Sequence, residues 1–229
     1  MIKLNFFKVS SKEDFGMFTR NLANNSSKKI EDKNGFQTIS FDEKHFSGTF
    51  FDKNIYRNEI IGIDNEKKEI YYEYFNIINF TFLLEDKNIY LVLSNPPRSI
   101  RSLLEFFANE KTFNLNINTI ELNLEKFSNF FINEFYFQIL KVKFTNIHIS
   151  KESIATIDII SSSNALTDFK DVFTSPSFKF KKIKFSYDKN HEKIIIEATN
   201  NGAISITENF YNESETRSLA KIINNIINT

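Results

Sequence analysis

The chain has 229 residues, 41% hydrophobic and 25% charged, and its 29 basic side chains balance 29 acidic ones. That length fits one large domain or two joined smaller ones whose core buries on the order of 70% of the unfolded surface, which excludes wholesale disorder. Zero net charge excludes a global field toward nucleic acid or anionic membrane, so any such binding needs a local patch.

The absence of cysteine excludes disulfides, thiol nucleophiles, thiolate zinc sites and iron–sulfur clusters, and fits a reducing cytoplasm. The opening MIKLNFFKVSSKED is broken by Lys3 and Asn5 and lacks the apolar core of a signal peptide, and no run approaches the ~18 apolar residues of a membrane span. A cytoplasmic protein without membrane contact is the expectation. Phenylalanine is abundant at 27 residues, with Gly at 5, Pro at 3 and Trp at 0. The abundant residue types have AT-rich codons, so the phenylalanines read first as core filler rather than binding platforms.

Ile2, Leu4 and Phe6 alternate as a strand, and Ser10 with Glu13 forms a capping-box signal for a helix bearing Phe15, Phe18 and Leu22. Residues 24–35, NNSSKKIEDKNG, read as an exposed loop. From Phe36 to Leu93 the pattern is strand-like, and Glu85-Asp86-Lys87-Asn88 reads as a hairpin turn between FTFLL and IYLVL. Asn95-Pro96-Pro97 stops the strand and starts a helix with Ile100, Leu103, Leu104 and Phe107 on one face. Residues 113–137 read as a strand followed by a short helix through Leu124, Phe127 and Phe131. Leu140, Val142 and Phe144 alternate with Lys141 and Lys143, and Ala155, Ile157 and Ile159 with Thr156 and Asp158, as an antiparallel pair with one wet face. A short helix through Leu166, Phe169 and Phe173, a strand over 178–187 and a hairpin at Asn200-Asn201-Gly202 follow. The last element is a C-terminal amphipathic helix opened by Asn212 and Glu215, with Leu219, Ile222, Ile223, Ile226 and Ile227 inward. The fold class expected is α+β, mainly antiparallel sheets with flanking helices, in two domains, 1–112 and 113–229, or one compact unit.

The three histidines, His45, His148 and His191, form no close pair at metal-ligand spacing and read as solvated or capping groups. No glycine-rich run can build a phosphate loop or dinucleotide fingerprint, and no G-x-S-x-G elbow is present. The one enzyme-like pattern is the acid-x-Lys string of metal-dependent nucleases, matched by Glu85 and Lys87 with Glu73 upstream. The same string recurs at Glu31–Lys33 and Glu66–Lys68, as expected where charges are common. Asp158 and Glu197 are strand acids, read as metal ligands or as solvent-facing sheet positions.

In SFKFKKIKFSY the inward phase of Ile183, Phe185 and Tyr187 sets Lys182 and Lys184 outward, while Phe178 and Phe180 are out of phase. A bulge near Lys181 is therefore expected, with Lys179 and Lys181 at the bend. If this strand shares a sheet with that of Lys141 and Lys143, six lysines gather on one region, as a phosphate-binding stripe or a solvated face that deters aggregation. Arg98 and Arg101 in the first turn of the proline-started helix oppose its dipole, a conflict that a bound anion or Glu105 would relieve.

The passage SIATIDIISSSNALTDFKDVFTSPSFKFKKIKFSY, residues 153–187, resembles the strand, short helix, strand passage of the family of the phage-exclusion protein RexA and the Kiwa defence component KwaB. The earlier FTFLLEDKNIYLVLSNPPRSIRSLLEFF is similar in layout to the hairpin and helix that precede it there. The resemblance covers about half the chain and implies non-catalytic binding of duplex DNA in an anti-phage system. The expected function is thus non-enzymatic, sequence-independent contact with DNA backbone through Lys141, Lys143, Lys179, Lys181, Lys182 and Lys184, joined by Arg98 and Arg101, with no cofactor and no metal. The alternatives are an interaction subunit or homo-oligomer that buries sheet edges and the Phe127–Phe137 stretch against a protein partner or second copy, and the metal-dependent nuclease.

Overall fold

The computed structural model describes residues 1–26, 34–61, 63, 66–109, 113, 115–150, 152–173 and 178–228. Residues 27–33 of the expected exposed loop, with the Glu31–Lys33 string, lie outside the described residues, as does the expected domain junction at residue 112. The elements in chain order are β1 (Ile2–Ser10), α1 (Phe15–Asn24), β2 (Gly35–Phe41), β3 (His45–Ile61), β4 (Lys67–Glu85), β5 (Asn88–Ser94), α2 (Arg101–Asn109) and β6 (Asn116–Thr119). They continue as α3 (Leu124–Asn129), β7 (Phe135–His148), β8 (Ile154–Ile160), α4 (Ala165–Val172), β9 (Lys179–Lys189), β10 (Glu192–Thr199), β11 (Ala203–Ile206) and α5 (Glu213–Ile227). The fold is α+β, antiparallel sheet flanked by helices. No helix among the described residues is long and apolar enough to cross a membrane.

The chain forms two compact units, one of Val9–Ile117 and one that joins Met1–Lys8 to Asn118–Thr229. In Val9–Ile117 the strands run β2-β3-β4-β5, all antiparallel, with register Phe46↔Phe82, Gly48↔Phe80 and Phe50↔Ile78 between the two long strands. Even-numbered positions therefore share the buried face, and the period of two carries Phe36, Phe46, Phe50, Phe80 and Phe82 into one core. The helices bring matching rings: Phe18 of α1 meets Phe82 edge-on at 5.0 Å, and Phe107 of α2 meets Phe80 and Phe82 at 5.3 and 5.4 Å. Edge-on ring pairs add about 0.5–1.5 kcal/mol each beyond their buried area, which accounts for the phenylalanine load as core.

Two helix starts differ from expectation. β1 runs on through Ser10, so α1 opens four residues later, capped by Asp14, whose carboxylate accepts the Met17 amide at 2.9 Å. The bond that Glu13 accepts, at 2.7 Å, comes from the Asn21 side chain instead of a Ser10 box. α2 begins at Arg101, three residues beyond where the prolines would start it, and its first backbone bond runs from Leu104 N–H to Ile100 C=O at 3.1 Å. Arg98 thus precedes the helix rather than lying in its first turn.

In the other unit the strand order is β1-β11-β10-β9-β7-β8, again antiparallel throughout. Leu4, Phe6, Val142, Phe144, Ile183, Phe185, Ile194, Ile196, Ile204 and Ile206 form its buried face. Helices cover that face: Phe127 of α3 lies 6.1 Å from Phe185, Phe169 of α4 stacks on Phe144 at 3.8 Å, and Leu219, Ala220, Ile223 and Ile226 of α5 are buried. Asn212 caps α5 through the Glu215 amide at 3.1 Å. The Asn200-Asn201-Gly202 hairpin joins β10 to β11, and Gly202 takes φ +83° while its carbonyl accepts the Phe6 amide at 2.9 Å.

Candidate nucleic-acid interface

The period of two that buries Ile183, Phe185 and Tyr187 turns Lys182 and Lys184 to the other face of the sheet. β9 pairs with β7 in a register that sets Lys184 opposite Lys141 and Lys182 opposite Lys143. The condition for gathering the lysines is therefore met for four of them, two by two on one face. The described helices of this unit pack on the opposite, apolar face. The row continues through Glu197, Ser205 and Lys3 on β10, β11 and β1, so the cations at its ends, Lys3 and Lys141, stand about 19 Å apart at the usual strand spacing.

Two bulges set this face. Lys143 opposes Lys182 while Phe144 opposes Phe180, so Lys181 is an extra residue on β9, at the phase break expected from the sequence. Beyond it Phe180 and Phe178 rejoin the apolar side and pack on Phe144 at 4.6 and 4.9 Å. On β7, Ile139 opposes Phe185 and Lys141 opposes Lys184, so Leu140 is the extra residue and Ile139 takes the buried place that simple alternation gives to Leu140. The remaining two lysines leave the cluster: Lys181 is the bulge residue, and Lys179 lines a 420 Å³ cleft together with Glu121 and Glu125.

Two carboxylates lie among the four lysines. Asp158 on β8 holds Lys141 at 2.9 Å and Lys143 at 3.7 Å, and Glu197 on β10 holds Lys182 at 2.9 Å. The hydrogen bond from Lys141, reinforced by the charges of Lys141 and Lys143, holds the Asp158 carboxyl below the usual carboxylate range. These acids thus serve as counter-charges to lysine. Their role is legible only once the cross-strand register is known, because each pairs with lysines on a different strand. Four cations and two anions leave the cluster with an excess of two positive charges, and Lys184 has no salt bridge of its own among the described residues.

Arg98 and Arg101 belong to the other unit, Val9–Ile117. There they line a 460 Å³ cleft that also holds Asp52, Asn54, Asn76 and Glu105. Arg101 Nε donates to Glu105 Oε1 at 2.6 Å, one turn along its own helix, and that bond raises the guanidinium pKa. The dipole conflict read from the sequence is therefore answered within α2.

The nuclease pattern does not assemble. Asp86-Lys87 is the two-residue turn between Glu85 and Asn88, with Asp86 at φ +53°. Glu73 lies twelve residues up the same strand from Glu85, about 40 Å away along an extended chain, and pairs with Lys53 at 2.8 Å. Among the described residues no group of three or more His, Asp or Glu side chains is placed to hold a metal ion. His148 and His191 are exposed, whereas His45 is buried in β3 at 3% exposure, a core position that the solvated reading did not anticipate. No protein-family model and no curated protein matches the chain.

Proposed function

We propose that the unit of Met1–Lys8 and Asn118–Thr229 binds duplex DNA along its phosphate backbone, without catalysis and without sequence preference, as a cytoplasmic sensor or accessory component of an anti-phage or phage-exclusion system. The observation that carries the reading is the two-by-two opposition of Lys141 with Lys184 and Lys143 with Lys182. Like charges directly across a ladder destabilise the sheet, and Asp158 and Glu197 offset only half of the four. A row of phosphates would offset the remainder: Lys184 has no salt bridge to give up among the described residues, and Lys141, Lys143 and Lys182 would exchange a carboxylate partner for a phosphate at little net cost, because exposed ion pairs are worth about 0–1 kcal/mol. Ammonium groups projecting from a sheet face reach phosphate oxygens and read no base edges, so the affinity is sequence-independent and salt-dependent. The resemblance of residues 80–107 and 153–187 to the RexA and KwaB family supplies the defence setting.

The test is fluorescence anisotropy of a labelled random duplex against the purified chain over a salt series, with and without magnesium, followed by gel analysis of the duplex. The expected result is binding that weakens steeply with salt, is lost in the double variant Lys182→Glu, Lys184→Glu, and leaves the duplex intact. No binding at low salt, or equal binding by a double variant with a native circular-dichroism melt, overturns the assignment. Magnesium-dependent cleavage overturns its non-catalytic part.

A further inference from the structure

The long strands β3 and β4 outrun their neighbours. Among the described residues, pairing of β2 to β3 ends at Gly35↔Phe51 and pairing of β5 to β4 ends at Ser94↔Asn79, yet β3 and β4 stay in register to Ile61↔Lys67. Beyond Phe51 they form a two-stranded arm about 33 Å long. Every residue of 55–61 and 67–74 is exposed. An isolated two-stranded ribbon is marginal in water, and this one shows Ile55 at 51%, Ile61 at 68%, Tyr71 at 72% and Tyr72 at 54% exposure. Its charges balance, with Lys53, Arg57, Lys67 and Lys68 against Asp52, Glu59, Glu69 and Glu73, so it is not shaped for a polyanion.

The phase of the free edge is fixed. The Lys53 N–H points away from β4, since it donates to Asn34 Oδ1 at 2.9 Å. By the alternation of an antiparallel ladder, Ile55, Arg57, Glu59 and Ile61 also turn their backbone groups outward. An edge of this kind, without proline or bulge, is a template for another strand.

We infer that the β3 edge of the arm, Ile55–Ile61, pairs antiparallel with the same edge of a second copy of the chain, centred on Asn58. The segment Ile-Tyr-Arg-Asn-Glu-Ile-Ile complements its own reverse. In that register Ile55 opposes Ile61, Tyr56 opposes Ile60, Arg57 opposes Glu59 and Asn58 opposes itself, each pair made twice except the last. Outward-facing residues meet outward-facing ones, as a ladder requires, and every charge meets its opposite. Shifting the centre to Arg57 would set two arginines face to face. On β4 the comparable register, centred on Ile70, matches Lys67 with Glu73 but sets Glu69 against Tyr71. A two-fold pairing of one edge with itself closes after two copies. The inference goes beyond the DNA reading and does not depend on it, because the arm lies in Val9–Ile117 and the lysines in the other unit.

Sedimentation velocity of the full chain over a concentration series tests it. The wild-type chain is expected to dimerise, and Arg57→Glu and Glu59→Arg, each of which opposes like charges twice, are expected to raise the dimer dissociation constant at least about tenfold. The charge-swapped double variant Arg57→Glu, Glu59→Arg is expected to return it to within about threefold of wild type, which separates pairing from misfolding. A chain that stays monomeric throughout overturns the inference. So does a dimer indifferent to the single variants, or one that the swap fails to restore.

Discussion

Replacing Asp158 by Asn should strengthen DNA binding, the reverse of what losing an acidic residue at a catalytic metal site would do. Asp158 is the carboxylate that holds Lys141 at 2.9 Å and Lys143 at 3.7 Å, and the lysines keep its pKa below the usual range, so at neutral pH the change removes one full negative charge. The cluster goes from four cations and two anions to four and one, a net gain of one charge. If that charge engages one more phosphate, the slope of log affinity against log salt steepens by about 0.9, which at 0.1 M amounts to about eightfold tighter binding relative to a 1 M intercept. The assay is anisotropy with a random duplex at five or so salt concentrations, reading slope and affinity together. Stability should change by no more than about 1 kcal/mol, as for other exposed ion pairs. The sign for pH follows from the lowered pKa: the pair's contribution is present above the ordinary carboxylate range and is lost as pH falls below about 4. The variant has no such acid limb. A variant with an unchanged melt whose slope stays at the wild-type value would show that DNA does not touch these lysines.

Gly202→Ala should cost roughly 1–3 kcal/mol from the positive φ alone, and more from crowding, because the added methyl would run into the Ile120 side chain and lie 2.8 Å from the Phe6 carbonyl oxygen; urea unfolding measures it. Burial, helped by the charges of Glu85 and Asp86, pushes the Tyr90 phenol up to about 12. The folded state therefore keeps a proton that the unfolded chain releases near pH 10, and the resulting stability is lost as pH rises from 10 through 12. Tyr90→Phe should flatten that decline in melts recorded across the range.

The phase of apolar residues in the sequence was enough to place most strands, the helices through Phe107, Phe169 and Leu219, and the break near Lys181, because burial on one face imposes period two or 3.6 and any departure shows. Helix starts were harder to read. Ser10 with Glu13 matches a capping box and Asp14 is an equally acceptable N-cap, and the strand that continues through Ser10 is what leaves the cap to Asp14. The lysines were visible, but their counter-ions were not: that Asp158 and Glu197 face Lys141, Lys143 and Lys182 depends on a register between strands distant in sequence, which local pattern does not encode. The arm is not legible in the sequence for a related reason. Residues 52–61 and 67–77 read as ordinary strand, and only the shorter described lengths of β2 and β5 leave 55–61 and 67–74 exposed.

The first strand has a consequence for how the chain is made. Ile2 pairs with Ile206, some 200 residues later, and Leu4 with Ile204. At ribosomal rates of about 5–20 residues per second, β1 leaves the tunnel about 10–40 seconds before β11, one of its partners in the sheet, exists. Val9–Ile117 is contiguous and fully synthesised within that interval, whereas the lysine-bearing unit waits for residues after Asn118. During that wait the apolar side of β1, with Leu4 and Phe6, lacks its β11 neighbour, so a chaperone that holds short extended apolar segments has its natural client in the first eight residues.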